Sequence, residues 1–234
     1  MKKKTLVLSG IMSFALLLGS CNKEEIEVPS NDEAPTRSGF VNPMEEEGIV
    51  HNSDLQYILE NITETPPYGE MAQRELVMDI LNVEYGGAVT LATLPEYGTT
   101  FEAINLSEWL SLAPVSTELQ DQVMITVDEL AASPDLSSFI DAVNTREMEA
   151  EGLFSGDELN IYYAHFAVAR ASATFWAPIA EGGLNGYSYV GTDLGLDVAA
   201  IDWDKVVACD LIGAVFGGPG GAATASAISV VMQS

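Results

Sequence analysis

The 234-residue sequence holds little cysteine, histidine and basic side chain: two cysteines, two histidines, and nine lysines and arginines together. His51 and His165 are far apart, and neither stands in a His-x-x-x-His spacing, so the sequence lacks a zinc-hydrolase pattern. A Walker loop, a dinucleotide-binding glycine motif and a serine nucleophile elbow are also missing. These absences disfavour the enzyme classes that the motifs define.

The shortage of basic residues leaves the chain strongly acidic. It carries 35 Asp and Glu and a formal net charge of −26, which falls to −29 if Lys2, Lys3 and Lys4 are removed with a signal peptide. Such a field repels nucleic-acid phosphates and anionic lipid headgroups, so we expect no nucleic-acid partner. Divalent cations and basic partners suit an acidic surface, although a solvated acidic face needs neither.

The first residues have the pattern of a secretory signal. Three lysines precede an uncharged apolar run from Thr5 to Leu18. A run of about 14 residues is too short for a membrane-spanning helix, which needs roughly 20. The run ends in Leu18-Gly19-Ser20-Cys21, which resembles the lipobox of bacterial lipoproteins. The resemblance implies cleavage before Cys21 and a diacylglycerol on its thiol, so residues 1–20 are expected to be removed.

The residues after this cysteine extend the resemblance. Asn22-Lys23-Glu24-Glu25 is similar to the short lysine-then-acidic export signal of Bacteroidota surface lipoproteins. It implies a lipid-anchored protein of the outer membrane, displayed at the cell surface, with a periplasm-facing position as the alternative. With Cys21 acylated, only Cys209 remains, so an intramolecular disulfide is excluded and packing must stabilise the fold.

Composition divides the mature chain into a tether and one domain. Residues 21–47 are rich in Glu, Asp, Pro, Ser and Asn and predict a flexible acidic tether. Residues 48–234 carry helical periodicity and few strand signals, with Ala88–Leu94 interpreted as an apolar loop. We therefore expect a single all-α domain of about seven to eight helices around a central apolar helix at 155–177.

Capping signals and periodicity place the helices. The predicted segments are Asp54–Glu64 behind Ser53 and Gln56; Tyr68–Tyr85, ended by Gly86-Gly87; a helix through Phe101–Leu110 behind Thr99 and Glu102; and helices opened by Thr117 with Gln120, by Ser133-Pro134, and by Ser155 with Glu158.

A long loop at 181–204 separates the central helix from the C-terminus, and long loops in compact domains are often functional. Its aspartates offer hard oxygen ligands without EF-hand spacing, which leaves a weak Ca²⁺ site or plain helix capping by Asp202 or Asp204 as alternatives. Its aromatics suit contact with a protein or glycan. The candidate contact residues are Tyr187, Tyr189, Asp193, Asp197, Asp202 and Asp204.

The C-terminal segment 205–234 has a small residue at every fourth position: Gly213, Gly217, Gly221 and Ala225. This pattern resembles glycine-zipper segments, including membrane-active and bacteriocin-like ones, and favours close approach of another backbone. Pro219 and its glycines divide the run into halves too short to span a bilayer. A buried helical hairpin is the first interpretation, and a membrane-active or self-assembling segment is the second.

These patterns favour a binding or interaction module that needs no cofactor. His51 with Asn52 is interpreted as a helix-capping pair and His165 as a hydrogen-bonded core histidine. A remote alternative is a hydrolase in which Cys209 and His165 act with Asp210 or Asn185, although no local motif supports it.

Overall fold

The computed structural model describes residues 40–62, 105–189 and 202–233, all of which belong to one compact unit. These residues form α-helices and two 3-10 turns, with no strand among them, which confirms the predicted all-α class. The helices are α1 (Glu45–Asn61), α2 (Leu106–Leu110), α3 (Thr117–Ala132), α4 (Leu136–Leu153), α5 (Gly156–Trp176) and α6 (Trp203–Gln233); the 3-10 turns are Ile179–Glu181 and Gly186–Tyr189.

Helix α5 lies at the centre of the described fold. It matches the predicted central helix to within one residue at each end, and Pro178 follows its C-terminus. From Tyr162 onward almost every side chain is buried, because α1, α4 and α6 pack around it. Alanines between the aromatic residues allow this close packing, whereas Tyr162, Phe166 and Trp176 fill the spaces between helices.

Helix α6 is a hairpin of two helical segments. The backbone leaves helical geometry at Gly217 and Gly218, and Gly218 has φ +61°, which glycine adopts without a Cβ penalty. Ser226 Oγ lies 3.0 Å from Asp210 Oδ2, although 16 residues of straight helix would separate them by about 24 Å. The chain therefore folds back at the two glycines, as the sequence predicts for this segment.

Helix α1 begins earlier than its capping pattern predicts. It starts at Glu45, inside the predicted tether, and Ser53 is an exposed mid-helix residue. The predicted start near Asp54 is therefore wrong. Three glutamates, Glu45 to Glu47, occupy the first turn, where negative charge is favourable, and the side-chain oxygen of Asn42 accepts from the Met44 amide.

Two further predicted caps are displaced by one or two residues. Ser116, rather than Thr117, caps α3 through the Leu119 amide, and Asp135, rather than Ser133, caps α4 through the Ser138 amide. In both places the structure uses the polar side chain directly before the first helical residue.

The capping box predicted for α5 is also wrong in detail. Ser155 is the N-cap residue but makes no side-chain cap hydrogen bond. Glu158 instead accepts a 2.7 Å hydrogen bond from the backbone amide of Ser116. A residue predicted to stabilise its own helix thus ties α5 to the start of α3.

Several predicted features lie outside the described residues. Among them are the signal, the lipobox and most of the tether, the predicted helix Tyr68–Tyr85, the loop Ala88–Leu94, and the predicted cap at Thr99 and Glu102. Only Leu106–Leu110 of the helix expected through Phe101–Leu110 is described, with Asn105 capping it through the Glu108 amide.

Candidate functional site

The predicted contact loop is described only at its two ends. Asp193, Asp197 and the side chain of Tyr187 lie outside the described residues. Tyr189 is partly buried, and its ring stacks on that of Phe175, with centroids 5.5 Å apart and an angle of 17° between the ring planes. Tyr189 therefore contributes to packing of the loop against α5 in addition to any contact it makes outside the domain.

The two described aspartates of this loop begin α6. Asp202 Oδ2 lies 3.6 Å from Lys205 Nζ, one turn along the chain. Burial, followed by the nearby negative charges of Asp202 and Glu181, raises the pKa of Asp204. In the part of the chain that the structure describes, no group of three His, Cys, Asp or Glu side chains is placed to hold a metal ion. Asp193 and Asp197, the other two aspartates of the weak Ca²⁺ hypothesis, lie outside the described residues, so that hypothesis stays a prediction.

The main polar cluster of the described fold surrounds Asp210, a residue that the sequence suggested only as part of a remote catalytic alternative. Ser172 of α5 and Ser226 of the second α6 segment both donate to Asp210 Oδ2, at 2.5 and 3.0 Å. His51 Nε2 of α1 lies 3.4 Å from the same oxygen. All four side chains are fully buried. One carboxyl group thus joins α1, α5 and both arms of the hairpin.

The hydrogen bonds of Asn52 determine the role of one ring nitrogen of His51. Asn52 Nδ2 donates to the Ala171 carbonyl at 3.1 Å, so Asn52 Oδ1 is left as an acceptor. His51 Nδ1, 2.8 Å from that oxygen, must therefore carry hydrogen. Nε2 then faces the carboxyl group of Asp210, 3.4 Å from Oδ2, inside the core.

Burial sets the electrostatics of the cluster. It raises the pKa of Asp210, while His51 and the two serine hydroxyls oppose that rise. The indole Nε1 of Trp176 donates to Ser226 Oγ at 3.0 Å and extends the network along α5. Each polar group inside the core is costly unless it has a partner, so these contacts specify how the four helical segments meet.

His165 occupies a separate position on α5, about two helical turns before Ser172. It is fully buried, its Nδ1 lies 3.0 Å from the Leu211 carbonyl, and its ring stacks on Tyr162. Desolvation by burial lowers the pKa of His165 to about 4, against a weaker upward effect of the Leu211 hydrogen bond. This geometry is that of a neutral, hydrogen-bonded core histidine.

The remote hydrolase arrangement is not formed as the sequence suggested. Asp210 contacts His51 instead of His165, and Asn185 lies in the loop after α5 with φ +53°. Cys209 is fully buried, and burial raises the pKa of its thiol, which favours the unreactive protonated form. The sequence analysis named Asp210 as a candidate but paired it with His165, whereas the structure places His51 next to it.

The structure adds three residues to the Asp210 cluster that the sequence did not single out for it: Ser172, Ser226 and Trp176. The two serines could have been noticed as hydroxyl residues at core positions of apolar segments. Ser172 lies on the same apolar stripe as Phe175, and Ser226 lies among alanines. Periodicity alone does not say which buried hydroxyl meets which carboxyl, because that depends on how the hairpin folds back.

The small residues of the hairpin bring its two arms together. A Cβ at Gly213 would lie 2.7 Å from the Gly221 carbonyl oxygen and 3.0 Å from Ala225 Cβ, and a Cβ at Gly221 would lie 2.6 Å from the Gly213 oxygen. Gly217, in contrast, has nothing within 4 Å of such a Cβ, because it lies in the bend. Three of the four zipper positions therefore make the close contact, and the fourth forms the turn.

One described helix, α6 from Trp203 to Val230, is long and apolar enough to cross a membrane when only length and composition are considered. Of its most apolar window, 67% is buried inside the domain, and core helices of soluble proteins pass the same criterion. The comparisons with known proteins add no relative: no family model matches the chain, and no similar protein was found among curated proteins or solved structures.

Proposed function

We propose that the protein is a lipid-anchored component of the bacterial cell envelope whose helical domain serves as a binding module at the cell surface. The observation that carries the proposal is the Leu18-Gly19-Ser20-Cys21 motif, placed between an apolar signal and an acidic segment. Acylation of Cys21 anchors the chain by its N-terminus and leaves the helical domain outside the membrane.

The arrangement of charge supports a binding role. Each described basic side chain lies in an ion pair within the chain: Arg146 with Glu129, Arg170 with Glu45 and Glu147, and Lys205 with Asp202. Most described acidic residues outside these pairs are exposed, so the outer face presents carboxylates. Such a surface favours basic proteins by electrostatic steering and disfavours anionic polymers.

The segment after α5 is the part of the surface that we assign to partner contact. Ile179 is 73% exposed and Leu184 is 37% exposed, within a turn shaped by Gly182 at φ +88°. Exposed aliphatic side chains in the same segment of the chain as Tyr189 suit a protein or glycan partner. Asp193 and Asp197, further along the same loop, remain predicted members of this contact region.

The anchor is tested by metabolic labelling with an alkyne-bearing fatty acid in the native host or a related bacterium. We expect the unmodified chain to be labelled and Cys21→Ala to lose the label. Cys209→Ser is the matched control, because it removes the other cysteine, which lies buried in α6, and should keep the label. Labelling that survives Cys21→Ala would overturn the lipoprotein assignment.

Display at the cell surface is tested separately, by adding protease to intact cells. Surface display predicts that the domain is digested while a periplasmic marker remains whole. Digestion only after the outer membrane is opened would favour the periplasm-facing alternative and would leave the lipid anchor in place.

Partner contact is tested with a photo-crosslinking amino acid at position 179 on living cells. We expect a discrete adduct at this position and none with the same amino acid at Leu112, which is 65% exposed in another part of the fold. Equal adducts at both positions, or none at either, would contradict the assignment of the loop as the contact region.

A second function is favoured by the apolar composition of α6. If the hairpin leaves the domain and enters a bilayer, the purified chain should release dye from liposomes. The burial of α6 and its bend at Gly217 and Gly218 argue against this activity. Liposomes that stay intact over a range of lipid composition and pH would exclude it, whereas dye release would make it the leading function.

A further inference from the structure

Side chains hold the residues that lead into α1 against the neighbouring helices. The ring of Phe40 lies 5.7 Å from that of Tyr163 on α5. Asn42 is buried, and its Nδ2 donates to Glu147 Oε1 at 2.6 Å and to the Tyr163 carbonyl at 2.9 Å. One amide side chain thus ties this segment to both α4 and α5.

An arginine joins the same group of residues. Arg170 of α5 lies 2.9 Å from Glu147 Oε1 through Nη1 and 2.5 Å from Glu45 Oε2 through Nη2. Glu147 is fully buried and Arg170 nearly so, whereas Glu45 is about half exposed. We call Asn42, Glu45, Glu147 and Arg170 the N-terminal clasp.

The clasp is followed by a close backbone contact. A Cβ at Gly48 would lie 2.6 Å from the Ala167 carbonyl oxygen and 2.9 Å from Ala171 Cβ, so α1 reaches α5 with no side chain between them. The first turn of an isolated helix frays readily, because its amides lack partners. Here the clasp holds that turn in place just before the tight contact at Gly48.

We propose that the N-terminal clasp is a mechanical attachment point, which passes tension from the lipid anchor into α4 and α5 and prevents it from peeling α1 out of the core. The proposal rests on the proposed N-terminal anchor, since a surface protein held by its N-terminus receives any pull through Phe40. A buried ion pair suits this role because separating it leaves charge unpaired in a low-dielectric setting.

Force spectroscopy tests the clasp directly. The mature, unlipidated chain from Cys21 to Ser234 is attached to one handle through the Cys21 thiol and to a second handle at the C-terminus; Cys209 is buried and does not compete for the label. For the unmodified chain we expect one main unfolding event, with no separate extension at lower force.

Two sets of variants give the comparison. Glu147→Leu with Arg170→Met removes both buried charges together, so neither is left unpaired. We expect this double variant to show an added low-force extension of about 30 Å, the contour length of residues 40–48. Glu45→Gln removes only the half-exposed partner and should lower the force at which the segment opens.

The matched control is Glu129→Leu with Arg146→Met, which replaces the ion pair between α3 and α4, away from the segment. It should show no early extension. The proposal would be overturned if the first unfolding event had the same force and extension in the unmodified chain and in the clasp variants. An early extension of equal length in the control would overturn it too.

If circular dichroism shows that the Glu147 and Arg170 double variant does not fold, Glu45→Gln decides the question by the same criterion. The pulling experiment uses the Cys21 thiol and not its lipid, so it is independent of the labelling experiment. If the labelling experiment showed no lipid on Cys21 but the pulling experiment gave the expected result, the clasp would still resist force. The source of that force in the cell would then no longer be the lipid anchor.

Discussion

At the scale of single residues, the fold depends on one buried carboxyl group. Asp210 accepts hydrogen bonds from Ser172 and Ser226, and His51 Nε2 lies 3.4 Å from the same oxygen. These partners come from three helices, one of them bent into two arms, so no single helix provides the cluster. Its chemistry is suited to specifying helix packing, because every member is enclosed by the core.

Asp210→Ala should destabilise the domain by about 3 kcal/mol, since it leaves two hydroxyls and an imidazole without their shared acceptor. Asp210→Asn keeps an oxygen acceptor for the two serine hydroxyls and preserves the shape of the side chain, so we expect it to cost less than about half as much. Urea unfolding followed by circular dichroism measures both.

Asp121→Ala, at an exposed position of α3, is the control for loss of one negative charge and should change the free energy of unfolding little. Equal stability of the Asp210→Ala and Asp210→Asn chains would contradict the role assigned to the shared acceptor.

His165 predicts a specific dependence of stability on pH. Its pKa is lowered from 6.5 to about 4 in the folded chain, so the unfolded chain takes up the proton first as pH falls. The stability that neutral His165 contributes is complete above pH 6.5 and is lost as pH falls towards 4, by about 3 kcal/mol in all. The raised pKa of Asp210 acts in the opposite direction, because burial favours its protonated form in acid.

His165→Asn retains a donor for the Leu211 carbonyl but does not titrate. We expect the difference in unfolding free energy between this variant and the unmodified chain to be constant above pH 6.5 and to change between pH 6.5 and about 4. The contribution of Asp210 is common to both chains and cancels. A difference that stays constant across that window would contradict a buried neutral His165.

At the scale of secondary-structure elements, the hairpin in α6 is the feature with the strictest geometry. Its arms meet at Gly213 and Gly221, where the backbone of one lies against the backbone of the other. Small residues matter here for a steric reason, because even a methyl group at either glycine would contact a carbonyl oxygen at less than 3 Å.

Gly213→Ala should therefore cost about 1–3 kcal/mol by overpacking. Gly217→Ala, four residues along the same segment, should change stability by less than about 0.5 kcal/mol, because nothing lies within 4 Å and its φ is −143°. Thermal unfolding of the two variants gives the comparison. If Gly217→Ala were the more damaging of the two, the hairpin packing described above would be incorrect.

The sequence predicted helical periodicity better than helix ends. The central helix at 155–177 and the break near Gly217 agree with the structure, because an all-round apolar segment and a glycine-proline run are strong local signals. The predicted start of α1 was wrong because contacts with residues distant in sequence stabilise its first turn. Asn42 bonds Glu147 and Glu45 pairs with Arg170, and local sequence patterns do not predict such contacts.

The buried site was less predictable than the fold. Asp210, His51 and His165 were visible as unusual residues, but their pairing depends on α1 lying beside both arms of the hairpin. Glu158 shows the same limit, since it fits a capping box in sequence and yet bonds the Ser116 amide of another helix.

At the scale of the whole molecule, the apolar C-terminal segment packs inside the helical domain, which we propose is tethered to a membrane by its N-terminus. The described part of α6 packs against α1, α2, α3 and α5 and supplies a large share of the buried aliphatic side chains. Each buried Val, Leu or Ile contributes about 1.5–3 kcal/mol, and a domain is stable by only about 5–15 kcal/mol.

The most direct test of this account is thermal unfolding of residues 40–234 beside the same chain ending at Ala200. We predict a single cooperative transition for the longer chain and none for the shorter one, because the shorter chain lacks α6 and the Asp210 acceptor. A cooperative transition in the shorter chain would contradict the account and would make the last 34 residues a separable segment.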